Sequence, residues 1–322
     1  MNNIKEVPAP PHFRCVNTHP DRYVEAAFAA NAVNAASIAL GITWEQAYAR
    51  LLRAAHERCL MPTDIHCVWD MLHSFGFVRQ PGNYAGGLTV EMLRRVCSER
   101  YHEHEIVLAQ TLTFGSGGRM TVLMPGENGQ YLAAGTNDMG KHRIDDVWIR
   151  WPDGQDHSEV KRRRGNGASG RRKRKIPLDH LHFRYYNANP QGRHIGDCVL
   201  RAIAVAADVG WHGALDRLGA SRFTVVNDDK RFRPLLETMG FRRRSVTMIG
   251  SRFPTVCEFC RQMQAQHPNG APIIASVGSN HVAAVMPYRN EQGELMYRAV
   301  DTWDCTSRTV GEYWVNPGLA KE

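Results

Sequence analysis

The pattern of apolar and polar residues predicts the same pair of helices in each half of the chain. The first half contains NAVNAASIALGITWEQAYARLL and the second contains CVLRAIAVAADVGWHGALDRL. Each stretch has an apolar run, a short break and an amphipathic run with helical spacing. The two stretches align when Trp44 is paired with Trp211, an offset of 167 residues. We therefore expect two helices at equivalent places in the two halves.

Two further anchors follow these helices in the same order. A short Gly-Phe signature appears in MLHSFGFVRQ and again in LLETMGFRRR. Farther along, VLMPGENGQYLAAGT and AVMPYRNEQGELMYRAVDT each predict a strand, a polar turn and a strand, and a strand containing tryptophan comes last, DDVWIRWP or GEYWVNP. Three anchors in one order indicate a duplicated domain. The predicted fold class is α+β, with helices first and an antiparallel sheet afterwards in each half.

Composition is consistent with two globular domains, because the chain has 322 residues and is 43% hydrophobic. No run of about 18 apolar residues is present, and the N-terminal sequence lacks the pattern of a secretory signal. We therefore expect no membrane partner and a cytoplasmic location, which for a viral protein is the host cytoplasm. The eight cysteines are far apart in the chain. At such a location this predicts reduced thiols rather than disulfide bonds.

The formal net charge of +8 comes mostly from one segment. Residues 154–180 contain 9 Lys and Arg against 3 Asp and Glu. Because a run of like charges cannot be buried, we expect an exposed linker there. It separates a first domain, 20–153, from a second domain, 181–322, and residues 1–19 form an N-terminal extension.

The basic run of this linker, KRRRGNGASGRRKRK, has two interpretations. It could be a solvated linker without any ligand. It could also contact the phosphates of nucleic acid or an acidic partner, or act as a nuclear import signal in a eukaryotic cell. The candidate contact residues are its basic side chains, Lys161, Arg162, Arg163, Arg164, Arg171, Arg172, Lys173, Arg174 and Lys175.

Three residues of the second half form a candidate catalytic set. Cys198 begins the apolar helical run, His281 begins the strand HVAAVMPY, and Asp301 ends the strand LMYRAVD. A thiol is mostly protonated at its usual pKa of about 8.5, but an imidazole can hold it as a thiolate, and an acidic group orients the imidazole. The N-terminus of a helix adds its N–H groups and its dipole to that stabilisation. Cys198 could instead be one of the inert thiols that cores commonly bury.

The first half lacks all three of these groups at the equivalent positions. The offset of 167 places Asn31 opposite the cysteine. The two Met-Pro pairs set an offset of 162, which places Arg119 opposite the histidine. The strands that contain tryptophan set an offset of 166, which places Gly135 opposite the aspartate. We therefore interpret the first domain as a catalytically inactive copy.

The stretches GDCVLRAIAVA, NHVAAVMPY and YRAVDTWDCTSRTVGEYW resemble papain-like cysteine peptidases, in particular a group of small papain-like proteins often encoded by bacteriophages. The resemblance covers residues 181–317 and, in degenerate form, the first half. It implies a nucleophile at Cys198, a base at His281 and an orienting acid at Asp301, with the base and the acid held on two adjacent antiparallel strands. The stretch GDCVLRAIA is also similar to the start of ovarian-tumour-type deubiquitinases. Their aspartate three positions before the cysteine is Ile195 in this chain, so the papain order fits better.

A papain-like site also needs amide donors for the oxyanion. The candidate side-chain donor is Gln191, seven residues before the cysteine, and the backbone N–H of Cys198 is the second donor. We expect Asn187 and Asn189 to shape the turn at Pro190, as asparagine commonly does.

Two functions follow from these features. The favoured one is a cysteine-dependent hydrolase, peptidase-like, deubiquitinase-like or deamidase-like, that acts on protein or peptide amides without a cofactor. The alternative is a non-catalytic accessory protein that binds nucleic acid or protein through the basic run. We expect no metal, because the pair in CEFC, Cys257 and Cys260, lacks the second pair of ligands that a zinc site needs. At positions i and i+3 of a helix, these two cysteines are expected to pack inside.

Overall fold

A computed structural model describes residues 12–21, 27–80, 87–100, 106–111, 118–126, 130–151, 177–221 and 229–320. The chain divides into two compact units, Met1–Arg58 with Pro62–Gly167 and Cys59–Met61 with Ala168–Glu322. Within the described residues, each unit contains four α-helices and one six-stranded sheet. The fold class is therefore α+β, as the sequence predicts.

The elements come in the same order in both units. Those of the first unit are β1 Phe13–Cys15, α1 Phe28–Leu40, α2 Trp44–Arg58, α3 Ile65–Ser74, β2 Val78–Gln80, α4 Val90–Arg100, β3 Ile106–Thr111, β4 Arg119–Pro125, β5 Tyr131–Gly135 and β6 Asp146–Arg150. Those of the second unit are β7 Phe183–Tyr185, α5 Cys198–Ala206, α6 Gly210–Ala220, α7 Asp229–Thr238, β8 Arg242–Ser245, α8 Val256–Gln266, β9 Ile273–Val277, β10 His281–Arg289, β11 Leu295–Asp301 and β12 Val310–Val315.

The two sheets also have the same topology. The strand order is β1-β5-β4-β3-β6-β2 in the first unit and β7-β11-β10-β9-β12-β8 in the second. Each sheet is mixed, because its first strand runs parallel to its neighbour while the other pairs are antiparallel. The prediction of a purely antiparallel sheet placed after the helices is therefore wrong. One strand precedes the helices and returns to the sheet edge in parallel, and β2 and β8 each lie between two helices.

The strand β1 also corrects the predicted domain boundary. It lies within residues 1–19, which we assigned to an N-terminal extension, yet it pairs with β5 from Phe13 to Cys15. It is the counterpart of β7, which pairs with β11 in the same parallel manner. The first sheet therefore includes part of the stretch that the sequence analysis placed outside the first domain.

Helices cover both faces of the second sheet. On one face, α8 buries Phe259, Cys260 and Met263 against Val285 and Tyr297. The helix α5 contacts β10 on the other face of the sheet. The side chains of β10 point alternately to the two faces, so every second one is directed towards α5. Nearly all residues of α5 are buried, which explains why CVLRAIAVA is apolar around most of its circumference. In the first unit, α4 and α1 contact β5 and β4 in the corresponding way.

No single helix among the described residues is long and apolar enough to span a membrane. The pair α5 and α6 meets the length and composition criteria only when the two are joined, and their axes differ by 111°.

Candidate active site

The second unit brings together Cys198, His281 and Asp301 where the inner strands β10 and β11 meet the start of α5. Cys198 is the first residue of α5 and is 8% exposed. His281 begins β10 and Asp301 ends β11. These strands are antiparallel neighbours in which Ala284 pairs with Val300, so the start of one lies beside the end of the other. The two strands therefore place the histidine next to the aspartate.

The imidazole of His281 is held by its neighbours on the following loop and strand. Its Nε2 is hydrogen-bonded to Oδ2 of Asp301, and the side chains of His281 and Asp301 are 13% and 3% exposed. The indole Nε1 of Trp303 lies 3.2 Å from the same nitrogen. The ring centroids of Trp303 and His281 are 5.1 Å apart at an angle of 58°. The tryptophan ring thus packs beside the imidazole, next to its bond with the aspartate.

The protonation of His281 reflects both of its partners. Burial alone lowers the pKa of His281, but the hydrogen bonds and charges of Asp301 and Cys198 outweigh burial and raise that pKa to about 9. The Cys198 side chain is therefore within hydrogen-bonding reach of the imidazole. Because Nε2 is bonded to Asp301, Nδ1 is the ring nitrogen that remains for a further partner. The imidazole can thus carry a proton at neutral pH and lies between an acid and a thiol.

The other oxygen of Asp301 is held by separate partners. Its Oδ1 accepts a hydrogen bond of 2.6 Å from the backbone N–H of Thr302 and lies 3.8 Å from Nη2 of Arg201. Nη1 of Arg201 donates to Oδ1 of Asp197 at 2.6 Å. Oδ2 of Asp197 in turn accepts from Nε1 of Trp211 at 2.9 Å. The carboxylate of Asp301 is therefore oriented on both of its oxygens.

Four of these residues were not predicted to belong to the site, namely Asp197, Arg201, Trp211 and Trp303. Asp197 and Arg201 are four residues apart and face each other across one helical turn, a spacing that predicts an ion pair. Trp211 served only as an alignment anchor, and Trp303 only as part of a quoted motif. The sequence does contain a signal for Arg201, because it is the only charged residue of the otherwise apolar helix α5. A buried charge of this kind is rare unless it is paired.

The N-terminus of α5 is directed at the sulfur without a competing cap. Asp197 occupies the N-cap position, but its side chain makes no capping hydrogen bond and instead binds Arg201 and Trp211. No acidic residue lies in the first turn. The Asp197 side chain therefore makes no capping hydrogen bond to the first N–H groups of α5, at the residue that carries the thiol.

Gln191, the candidate oxyanion donor, is exposed on the surface and precedes the start of α5 by seven residues in the sequence. Its Oε1 accepts a hydrogen bond of 2.7 Å from Nε of Arg193, which leaves its Nε2 as the atom that could donate to an oxyanion. Its role stays a prediction. Asn187 and Asn189 do shape the preceding turn, because the backbone N–H of Asn189 donates to Oδ1 of Asn187 and the N–H of Gln191 donates to Oδ1 of Asn189.

The first unit has a different set of side chains at the equivalent place. Asn31 is buried in α1, donates to the backbone oxygen of Ala27 at 2.9 Å and accepts from Oγ1 of Thr136 at 3.2 Å. Arg119 begins β4 and Gly135 ends β5, as His281 and Asp301 do in the second unit. A thiol, an imidazole and a carboxylate are therefore all replaced at these positions.

The remaining cysteines are free thiols in different surroundings. Burial raises the pKa of Cys260 to about 12, and it raises the pKa of Cys305 still further. Cys257 of the CEFC motif is only partly buried, whereas Cys260 packs in the core. The described part of the chain contains no group of three or more His, Cys, Asp or Glu residues placed to hold a metal ion.

The basic run from Lys161 to Lys175 lies outside the described residues, so its contacts with nucleic acid or an acidic partner stay a prediction. No family model matches the chain, and no curated protein or solved structure is significantly similar to it. The function is therefore argued from the geometry of the site.

Proposed function

We propose that the second unit is a cysteine-dependent hydrolase with a papain-like site, acting on amide bonds of proteins or peptides. Cys198 is the nucleophile, His281 the general base and acid, and Asp301 the residue that orients the imidazole. The observation that supports this most is the position of His281, whose ring is hydrogen-bonded to a buried carboxylate on one side and to a thiol on the other. A structural histidine has no need of both partners.

In the resting site the Cys198 proton already lies on His281, so the reaction begins from a thiolate paired with an imidazolium. The thiolate then forms a bond to the carbonyl carbon of the substrate, and N–H groups at the start of α5 stabilise the negative oxygen. The imidazolium of His281 gives its proton to the leaving nitrogen as the carbon–nitrogen bond breaks, which leaves a thioester. Neutral His281 next takes a proton from water, whose oxygen attacks the thioester and releases the acid. Cys198 leaves as a thiolate, so the starting pair is restored.

Peptide cleavage, removal of a ubiquitin-like tag and deamidation all use this chemistry. The first unit contributes no catalytic group in this proposal, since Asn31, Arg119 and Gly135 replace the three reacting types. Intact-mass comparison of candidate substrate proteins, incubated with the wild type or with Cys198→Ala, separates the three reactions. A fragment, a lost tag, or the mass difference between an amide and an acid identifies the reaction.

The test of the activated thiol needs no substrate. The full chain is treated with iodoacetamide at about pH 6.5, and the modification rate of each cysteine is followed by peptide mass spectrometry. Cys15 is exposed and serves as the internal reference. We expect the buried Cys198 to react at least about tenfold faster than Cys15, because only the thiolate is nucleophilic and an ordinary thiol is about 1% ionised at that pH. A rate for Cys198 equal to or below that of Cys15 contradicts the proposed function.

A further inference from the structure

One of the candidate catalytic residues, Asp301, belongs to a row of three buried charged side chains. The side chains of Asp197, Arg201 and Asp301 are 9% exposed or less. Arg201 lies between the two carboxylates, with Nη1 at 2.6 Å from Asp197 and Nη2 at 3.8 Å from Asp301. At the end of this row, Nε1 of Trp211 donates a hydrogen bond of 2.9 Å to Oδ2 of Asp197. One arginine thus serves two acids, and only one of these acids contacts His281.

Burying three charges is unfavourable unless each finds a partner. Burial raises the pKa of Asp197, and the charge of Arg201 and the hydrogen bond of Trp211 oppose that rise. An arginine suits the central position because its planar fork has several donors and does not lose its proton. The arrangement therefore places one buried cation beside two buried carboxylates.

The first unit shows that the fold itself does not require these charges. At the offset of 167, Ala30 and Asn34 occupy the places of Asp197 and Arg201, and Trp44 remains opposite Trp211. Both Ala30 and Asn34 are buried in α1, which packs on β4 as α5 packs on β10. Oδ1 of Asn34 accepts from the backbone N–H of Thr18 at 2.7 Å. The tryptophan is common to both units, whereas the ion pair occurs only in the unit that has the cysteine, histidine and aspartate.

We propose that Asp197 and Arg201 are positioning residues of the Cys198 site. Arg201, together with the N–H of Thr302, holds Oδ1 of Asp301 so that Oδ2 faces His281, and Asp197 holds Arg201 in place. This inference rests on the proposed function, because it assigns a task to the charges only if His281 and Cys198 form a reactive pair.

Loss of Arg201 removes the guanidinium that lies beside both buried carboxylates and leaves His281 beside Asp301. The groups that face Asp301 are His281 on β10, Arg201 on α5 and the neutral thiol of Cys305 on the following loop. Without the guanidinium, Oδ1 of Asp301 keeps only the N–H of Thr302 as a holding group, so the carboxylate turns more freely. Oδ2 then holds the His281 ring less firmly, and the imidazolium stabilises the Cys198 thiolate less well.

The experiment measures iodoacetamide modification of Cys198 in the full chain between about pH 5 and pH 10, with Cys15 as the reference thiol. The variants are Arg201→Met, Arg201→Lys and Asp197→Asn. The control is Arg94→Met, which removes an equally buried arginine that is paired with Glu91 in the first unit. Thermal unfolding of each variant is recorded separately, since a purely structural role would change the unfolding temperature without changing the pH profile of Cys198.

We expect Arg201→Met to move the pH midpoint of Cys198 modification upward by about one unit, which is about a tenfold loss of rate at neutral pH. Arg201→Lys keeps the charge without the fork and should give a smaller shift, as should Asp197→Asn. The control should match the wild type. If Arg201→Met does not fold, the other two variants decide the matter, because they retain the volume and part of the hydrogen bonding.

Unchanged profiles in all folded variants of Arg201 and Asp197 overturn the inference while the proposed function stands. A wild-type Cys198 that reacts no faster than Cys15 overturns the proposed function itself. The two failures are therefore distinguishable in one set of measurements.

Discussion

Gly135 and Asp301 occupy the same position in two sheets of identical topology. Each is the last residue of its strand, and each pairs with the last residue of a parallel edge strand, Cys15 in the first unit and Tyr185 in the second. A Cβ atom at Gly135 would lie 3.7 Å from the nearest atom, the backbone oxygen of Met120, which is ordinary van der Waals contact. The backbone of the first unit does not demand glycine there, so the difference between the units is chemical.

Gly135→Ala should therefore be tolerated. We expect the free energy of unfolding to stay the same or to increase by about 0.4–1 kcal/mol, because alanine restricts the unfolded chain more than glycine does. Urea denaturation of the full chain measures this change, and iodoacetamide modification of Cys198 should be unaffected. A loss of more than about 1 kcal/mol would show that the glycine is needed for a close contact.

His281→Gln should abolish the reactivity of Cys198. Glutamine retains a polar side chain but cannot accept the thiol proton to form a cation, so the sulfur returns to the behaviour of an ordinary thiol. We expect the rate of iodoacetamide modification at about pH 6.5 to fall by about a hundredfold. The matched control is His267→Gln in the same unit, since the ring of His267 packs against Tyr313 and is not part of the proposed catalytic set. Equal losses in the two variants would show a general effect on folding.

Asp301→Asn should lower the pKa of His281. The asparagine keeps a hydrogen-bond acceptor but removes the charge, so burial, which lowers the pKa, meets less opposition. In an NMR titration of the His281 ring protons, we expect a midpoint near pH 9 in the wild type and a midpoint at least about one unit lower in the variant. Titration of the wild-type histidine near its usual pKa of about 6.5 would falsify this assignment of the partners.

The same histidine links stability to pH. The folded pKa of His281 lies above its unfolded value, so the protonated ring stabilises the folded state below about pH 6.5, and this contribution is lost as the pH rises towards 9. A Cys198→Ala background removes the opposing linkage of the thiol. There, we expect His281→Gln to lower the free energy of unfolding by about 2 kcal/mol at pH 6, because each pH unit by which the folded pKa exceeds the unfolded one contributes about 1.4 kcal/mol. The difference should vanish at about pH 9.5, and a constant difference across this range contradicts the linkage.

Alignment of the two halves correctly predicted which strand positions of the two sheets are equivalent, because sheet register preserves what the anchors indicate. Val122 pairs with Ala134 in the first unit and Ala284 pairs with Val300 in the second. These pairs reproduce the offsets of 162 and 166 that the Met-Pro and Trp anchors set. Strand residues that pair in the same register cannot shift singly, since a slip of one residue would turn every side chain to the other face.

The short edge strands could not be predicted in this way. Each contains three residues, too few for a period to be visible, and its parallel partner lies more than 100 residues away in the chain. A sequence signal does exist, because HFRC and HFRY repeat at an offset of 170 between His12 and His182. The spacing of Asp197 and Arg201 indicates their ion pair, but the contact of this pair with a third charge could not be predicted, for a related reason. This third charge, Asp301, comes from a distant strand, and no local pattern shows that the three charges meet.

The row of charges behind Cys198 also determines how the site handles protons. Arg201 is a buried cation between the two acids, and the pair of Cys198 and His281 is neutral overall whether the proton lies on sulfur or on nitrogen. In the proposed mechanism, arming the nucleophile is therefore an internal transfer that leaves the total charge of the buried cluster unchanged. No proton has to cross between the cluster and bulk water at that step, so the site can be both nearly dry and ready to react.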